Sequence, residues 1–266
     1  MNADLWNAII LGILQGLTEF LPVSSSGHLE LGRAILGTTW DTNSNMMFTV
    51  AVHGATALAT VVTFQKDIRN IIRGFFKGST EERHFALAIL ISMVPAAFVG
   101  LFFNDVIEML FDQNIFMVAV MLIITGLLLF LADRAKKTHK KVSYVDAAVI
   151  GIAQAIAILP GISRSGATIS TSVLLGIDRD QAARFSFLMV VPLVLGKMIM
   201  DSRDLFAMPQ QEQEAHLLPL LAGFLAAFVT GLWACKLMIN LVKKAKLSGF
   251  AIYCIAVGTL AAFWVL

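Results

Sequence analysis

The feature that most constrains this chain is a series of long, almost uninterrupted apolar runs. Six of them, 46–64, 85–104, 116–133, 182–200, 217–236 and 249–266, approach the roughly 20 apolar residues that an α-helix needs to cross a bilayer. Alternating strands of a β-barrel would break such runs every second residue, so the runs are read as helices. Composition agrees: 14% of residues are charged, against about 25% in a soluble domain, and mean hydropathy is +0.79. The expected fold class is an all-α polytopic membrane protein. A net charge of +2 gives no reason to expect nucleic acid as a partner. Cys235 and Cys254 fit no metal spacing. The first residues, MNADLWNAII, lack a basic n-region and are not read as a removable signal peptide.

Two further apolar regions, 4–37 and 146–176, are broken in the middle at Pro22 and Pro160, each followed by Ser and Gly. Each half is expected to be too short to cross alone, so each region reads as a re-entrant pair of half-helices. Non-helical backbone at membrane depth is tolerated only against protein or a wet cavity. Loop charges set the orientation. Lys66, Arg69, Arg73, Lys77 and Arg83 lie in 65–84; Arg134, Lys136, Lys137, Lys140 and Lys141 in 134–145; Lys236, Lys243, Lys244 and Lys246 in 236–248. The stretch 105–115 has Asp105, Glu108 and Asp112 and no Lys or Arg, and 201–216 has only Arg203. The basic loops are therefore expected on the cytoplasmic side, with both termini outside. The first dip would then enter from outside and the second from the cytoplasm.

Shifted by 139 residues, the two dips align: Gly12 on Gly151, Gln15 on Gln154, Ser24 on Ser163, Ser26 on Ser165, Gly27 on Gly166, Gly37 on Gly176. Phe48 falls on Phe187, and AAFV at 96–99 recurs at 226–229. A duplication with a first repeat over 1–135 and a second over 136–266 is expected, each repeat a re-entrant pair plus three crossings. An odd number of crossings inverts the second repeat, a plan that puts a site near the midplane where the broken helices meet.

The aligned tips match in backbone-shaping residues and differ in chemical ones. Glu19, Ser25 and His28 face Ile158, Arg164 and Ala167 in the alignment. Arg164, at a Ser-Gly turn before a helix, suits a phosphate through its fork of donors. Ser24, Ser26, Ser163, Ser165 and Thr168 are candidate substrate-binding hydroxyls, although such residues also serve simply to satisfy freed backbone groups. Gln15 and Glu19 share a helix face and are candidate ligands for a divalent cation; Glu19 alternatively acts as a base. Ser25 is a candidate nucleophile with Glu19 or His28 as its base, and His28 is itself a rival nucleophile or proton donor. The structural alternative for Glu19 and Arg164 is an ion pair between repeats, and for His28 a satisfied buried ring. His53 and Lys197 lie within crossings; His53 is read as structural and Lys197 as snorkelling to an interface.

QGLTEFLPVSSSGHL at 15–29 and PGISRSGAT at 160–168 resemble the two signature regions of the undecaprenyl-pyrophosphate phosphatase family, also called the bacitracin-resistance protein family. Gln15 stands where many members carry Glu. The resemblance implies hydrolysis of undecaprenyl pyrophosphate to undecaprenyl phosphate and inorganic phosphate, recycling the lipid carrier of peptidoglycan synthesis and conferring bacitracin resistance. It implies roles for Glu19, Ser25, His28, Ser163, Arg164 and Thr168, with Gln15 the weaker member, and dependence on a divalent cation, Mg2+ or Ca2+. The expected partners are a polyprenyl pyrophosphate lipid, the bilayer and a second copy in a homodimer. The expected place is the bacterial inner membrane, with the active site toward the extracytoplasmic side. The rival reading is a transporter or lipid flippase on the same inverted repeat, which would move lipid without releasing phosphate. A purely structural scaffold leaves Glu19 opposite Arg164 unexplained.

Overall fold

The computed structural model describes residues 2–38, 40–103, 114–136, 138–207, 210–244 and 247–265, and the side chains of most of them. Eleven helices are described: α1 (Asn2–Phe20), α2 (Ser25–Leu36), α3 (Thr42–Thr63), α4 (Gln65–Lys77), α5 (Thr80–Phe102), α6 (Ile115–Asp133), α7 (Tyr144–Ile156), α8 (Arg164–Leu174), α9 (Arg179–Ala207), α10 (Gln210–Lys244) and α11 (Ser248–Val265). There is no strand among the described residues. Five helices, α3, α5, α6, α10 and α11, carry stretches long and apolar enough to cross a membrane. The sixth expected crossing, 182–200, falls within the 29 residues of α9. Asp105, Glu108 and Asp112, Lys137 and Lys246, and the side chains of Lys197, Arg203, Lys243 and Lys244, lie outside the described residues.

The outer surface is what lipid requires. Val229, Trp233, Ile252, Leu260, Phe263 and Trp264 are all exposed. Between helices, where lipid removes the usual hydrophobic incentive, small residues permit close backbone packing instead. A Cβ at Gly126 of α6 would lie 2.8 Å from the Ala251 carbonyl oxygen of α11, and one at Gly258 of α11 would lie 2.6 Å from the Ala119 oxygen of α6. Early residues of one helix thus meet late residues of the other, so α6 and α11 run antiparallel. In contrast, α1 and α10 run parallel: a Cβ at Gly12 would meet the Gly223 oxygen at 2.4 Å, and one at Gly16 the Ala227 oxygen at 2.6 Å. The aromatic core gathers Phe20, Phe64, Phe185 and Phe187, with ring centroids of Phe20 and Phe187 6.1 Å apart.

The breaks at Pro22 and Pro160 do end helices. At about 18, 20 and 17 Å, α2, α7 and α8 are shorter than the roughly 30 Å hydrocarbon core. Helix α1 is longer than the other halves, about 28 Å for its 19 residues, because NADLW continues the helix beyond the apolar part. Asp4, Gln15 and Glu19 keep it from the five apolar spans.

Residues 65–84 are not a simple loop either. Ile68 and Ile71 of α4 pack inward, while Lys66, Arg69, Arg73 and Lys77 are exposed beside Ile72 and Phe76. That mixed outer face suits the membrane–water boundary. Ion pairs tie the same end of the bundle together: Arg184 to Asp67 at 2.8 Å, Lys141 to Glu81 at 2.6 Å, Arg179 to Asp133 at 3.5 Å. The Leu247 N–H, at the start of α11, donates to Asp133 at 2.7 Å. The segments 65–84, 134–145 and 236–248 therefore share one end, as their charges predict.

Candidate active site

Glu19 lies in the last turn of α1 and Gln15 one turn earlier, so the Gln15 amide donates to Glu19 Oε2 at 3.0 Å. The chain turns at Leu21–Val23, and Ser25 opens α2 with its hydroxyl donating to the same Oε2 at 2.6 Å. Arg164, the first residue of α8, donates from Nη2 to Glu19 Oε1. The two tips touch elsewhere too. The Ser165 hydroxyl donates to the Leu21 carbonyl at 3.1 Å, and a Cβ at Gly27 would sit 3.2 Å from Gly161 Cα. The ion pair between halves is thus made. It does not consume the guanidinium, because Nη1 of Arg164 is buried and has no hydrogen-bond partner among the described residues.

These groups line a cavity of about 190 Å³. Its polar wall is Glu19, Ser25, Ser26, His53, Ser163, Arg164 and Ser165, and its apolar wall includes Ile158, Ile162, Val190, Leu193 and Val194. A headgroup rich in oxygen and a hydrocarbon tail would each find a matching side.

The turn before α2 is strained. Ser24 has φ 69°, the only positive φ at a non-glycine among the described residues. Such conformations persist where the surroundings over-determine them. Three contacts do so here. Ser24 Oγ caps α2 by accepting from Gly27 N at 3.2 Å and lies 3.4 Å from Ser26 Oγ, and the Ser24 carbonyl accepts from His28 Nδ1 at 2.8 Å. A carbonyl only accepts, so Nδ1 carries the proton. His28 Nε2 then accepts from the Tyr253 hydroxyl at 2.8 Å, the two rings stacked 5.6 Å apart. His28 is 6% exposed and does not line the cavity. Its ring braces the turn that carries Ser25.

The second tip is built the same way without the strain at its cap. Ser163 caps α8, accepting from Gly166 N at 3.0 Å, while its own N–H donates to Thr125 Oγ1 at 3.0 Å. Gly161, with φ 92°, carries the chain past Val118, whose carbonyl oxygen a Cβ would approach to 2.5 Å. Thr168 is fully buried and bonds Ser186 at 2.6 Å, fastening α8 to α9 rather than facing the cavity. Gln154, the counterpart of Gln15, is buried with neither amide atom partnered among the described residues.

His53 also lines the cavity, although the sequence alone gives it a structural role. It sits in mid-α3, and its only visible signal was an imidazole inside an apolar crossing. Tyr253 and Thr125 gave no signal, since each acts across the fold.

No group of three acid, His or Cys side chains suited to a metal occurs among the described residues. Glu19 is the only carboxylate on the cavity wall, and both its oxygens already accept hydrogen bonds. A dedicated protein cage does not fit. A cation held by one carboxylate and the oxygens of an incoming phosphate does, in the manner usual for Mg2+.

Residues 8–260 match the family described as Bacitracin resistance protein BacA. The chain belongs to this family. Among curated relatives, the undecaprenyl-diphosphatase of Christiangramia forsetii is 59% identical over 259 residues, 97% of each chain. That of Bacteroides fragilis is 47% identical over 95% of each chain. That of Methanococcus vannielii is 39% identical over 97% of this chain and 99% of its own. Membership in the BacA family accords with the resemblance carried by residues 15–29 and 160–168, whose side chains form the polar wall of the cavity apart from His53.

Proposed function

We propose that this chain is an integral membrane phosphatase that hydrolyses undecaprenyl pyrophosphate to undecaprenyl phosphate and inorganic phosphate. The names of its relatives support the substrate. The observation that carries the chemistry is the Ser25–Glu19–Arg164 chain of hydrogen bonds on one wall of a half-apolar cavity. Ser25 Oγ attacks the terminal phosphorus, its proton passing to Glu19 Oε2 along the 2.6 Å bond. The anhydride P–O bond breaks and undecaprenyl phosphate departs. Arg164, with Nη1 unspent, holds the equatorial oxygens where charge develops. Ser26, Ser163 and Ser165 add donors. His28, both ring nitrogens engaged, positions Ser25 in this scheme; attack by His28 itself, or directly by water, is the competing route.

A divalent cation, Mg2+ or Ca2+, belongs to the same reading, with Glu19 as its protein ligand and Gln15 a weaker one. Its chemistry would be neutralisation of pyrophosphate charge. Inverted repeats over 1–135 and 136–266 are supported by the antiparallel α6–α11 pair. The basic segments at one end support an inner-membrane orientation with that end in the cytoplasm and the cavity served from the extracytoplasmic side. A homodimer completes the proposal, and light scattering in detergent tests it.

The deciding experiment is phosphate release from undecaprenyl pyrophosphate by purified protein in detergent, with and without chelator, beside Arg164→Ala. Release that Arg164→Ala abolishes supports an enzyme, and chelator sensitivity supports the cation. No release by folded wild-type protein supplied with cation would favour the flippase, for which the antiparallel pair is the structural support.

A further inference from the structure

We infer that His53 is a catalytic residue of this site: the base that takes the proton from the water that hydrolyses the Ser25 phosphoester. The inference rests on the phosphatase reading and on Ser25 as nucleophile.

The first half-reaction leaves a gap. After Ser25 attacks, its phosphoryl group is covalently attached, and the Glu19 carboxyl holds the Ser25 proton. Hydrolysis then needs a second base, for a water approaching the phosphorus. Arg164 is no base at any working pH. His28 lies outside the cavity with Nδ1 donating to Ser24 and Nε2 accepting from Tyr253. Ser26, Ser163 and Ser165 are hydroxyls of ordinary acidity. Among the described lining residues, that leaves His53.

Its geometry suits the task. His53 Nδ1 lies 2.8 Å from the carbonyl oxygen of Thr49, one turn back on α3. The carbonyl can only accept, so Nδ1 carries a proton, and in the neutral ring the lone pair is on Nε2. No hydrogen bond to Nε2 occurs among the described residues. The charged groups facing His53 across the cavity are Glu19 from α1 and Arg164 from α8, and His53 lies within electrostatic reach of Glu19. One ring nitrogen is therefore fixed by the backbone and the other left for the cavity, the arrangement a positioned base requires. In the step itself the water oxygen bonds to phosphorus and the P–Oγ bond breaks. The water proton goes to His53 Nε2, Ser25 Oγ recovers its proton from Glu19, inorganic phosphate leaves, and His53 gives its proton up to water.

The same offset of 139 that pairs Phe48 with Phe187 places Pro192 opposite His53. His53 thus joins Glu19, Ser25 and His28 as a chemical residue whose counterpart is not chemically equivalent.

The test uses substrate labelled in the terminal phosphate, purified wild-type protein, His53→Gln and His53→Ala. Gln keeps a donor for the Thr49 carbonyl, and each variant is checked for a single elution peak and a wild-type melting midpoint. His53→Gln should lose roughly 100-fold or more in steady-state turnover, the usual worth of a positioned base. It should still release close to one equivalent of undecaprenyl phosphate in a first burst. The label should then remain on Ser25 as an acid-stable, alkali-labile phosphoester. Added imidazole should restore turnover to His53→Ala. Turnover of His53→Gln within a few-fold of wild type would overturn the inference and leave the phosphatase reading standing. Slow turnover with no label on Ser25 would overturn it too. Wild-type protein that releases no phosphate would overturn the phosphatase reading itself.

Discussion

Replacing Glu19 by Gln removes a charge without moving an atom group, and the structure says what each lost interaction costs. The carboxylate accepts from Arg164 on one oxygen and from Ser25 and Gln15, at 2.6 and 3.0 Å, on the other. An amide oxygen still accepts one of these, so the helix ends stay docked. Breaking a buried ion pair outright costs about 3–5 kcal/mol, but a hydrogen bond from a charged donor is worth roughly 1.5–3 kcal/mol and Gln retains one. The net destabilisation is therefore expected at about 1–3 kcal/mol. Turnover falls further, because an amide cannot take the Ser25 proton: a positioned base supplies about 10²–10⁴-fold, or roughly 3–5 kcal/mol of barrier. Glu19→Asp is the complement. It keeps the charge opposite Arg164 but withdraws the carboxylate by about one C–C bond, ~1.5 Å, from Ser25. Misplacement on that scale costs on the order of 100-fold in rate. Phosphate release in detergent, measured beside the melting midpoint of each variant, separates the two effects. A folded Glu19→Gln protein turning over within tenfold of wild type would refute Glu19 as the base for Ser25.

Two supporting contacts make smaller predictions. Ser24→Ala keeps the strained φ and loses the cap of α2, so it should destabilise by about 1 kcal/mol more than Ser24→Gly, which relaxes the backbone; equal melting midpoints would contradict this. Tyr253→Phe leaves His28 Nε2 a buried acceptor without its donor, at about 1–3 kcal/mol of stability. Its turnover should fall less than tenfold, since Tyr253 does not line the cavity, and a loss as deep as that of Glu19→Gln would place the His28–Tyr253 pair in the chemistry.

What the sequence made legible was whatever depends on neighbours along the chain. Continuous apolar runs announced the crossings, Pro22 and Pro160 announced the breaks, and Ser24 and Ser163 stood where caps were needed. The shared Gly, Gln and Ser positions of the two broken segments pointed to tips that meet, and Glu19 and Arg164 do meet from 145 residues apart. Three things escaped. Helix α4 was hidden because its charges read as a loop signal, although Ile68 and Ile71 carry the helical spacing. The length of α1 was hidden because hydropathy marks where lipid begins, not where hydrogen bonding does. The division of labour between His28 and His53 was hidden because it depends on contacts across the fold: Tyr253, 225 residues from His28, engages that ring, while His53 lines the cavity.

That division also bears on how two tips with the same backbone-shaping residues support an asymmetric site. The positions that shape the backbone are the same in both halves: Gly12 and Gly151 for close helix contact, Ser24 and Ser163 for caps, Gly27 and Gly166 for close packing in the first turn of the following helix. A symmetric pair of tips would set like groups against each other, acid to acid or guanidinium to guanidinium, and burying such a pair is costly. Divergence at only a few positions avoids this. Glu19 opposes Ile158 in the alignment and Arg164 opposes Ser25, so in space each half supplies what the other lacks. The apolar wall follows the same logic, since Ile158 lines the cavity where a second carboxylate would otherwise stand. Restoring symmetry with Ile158→Glu should therefore damage the site as surely as removing Glu19, by adding a second anion where phosphate must bind. Retention of wild-type phosphate release in that variant would show that the asymmetry is incidental to the chemistry.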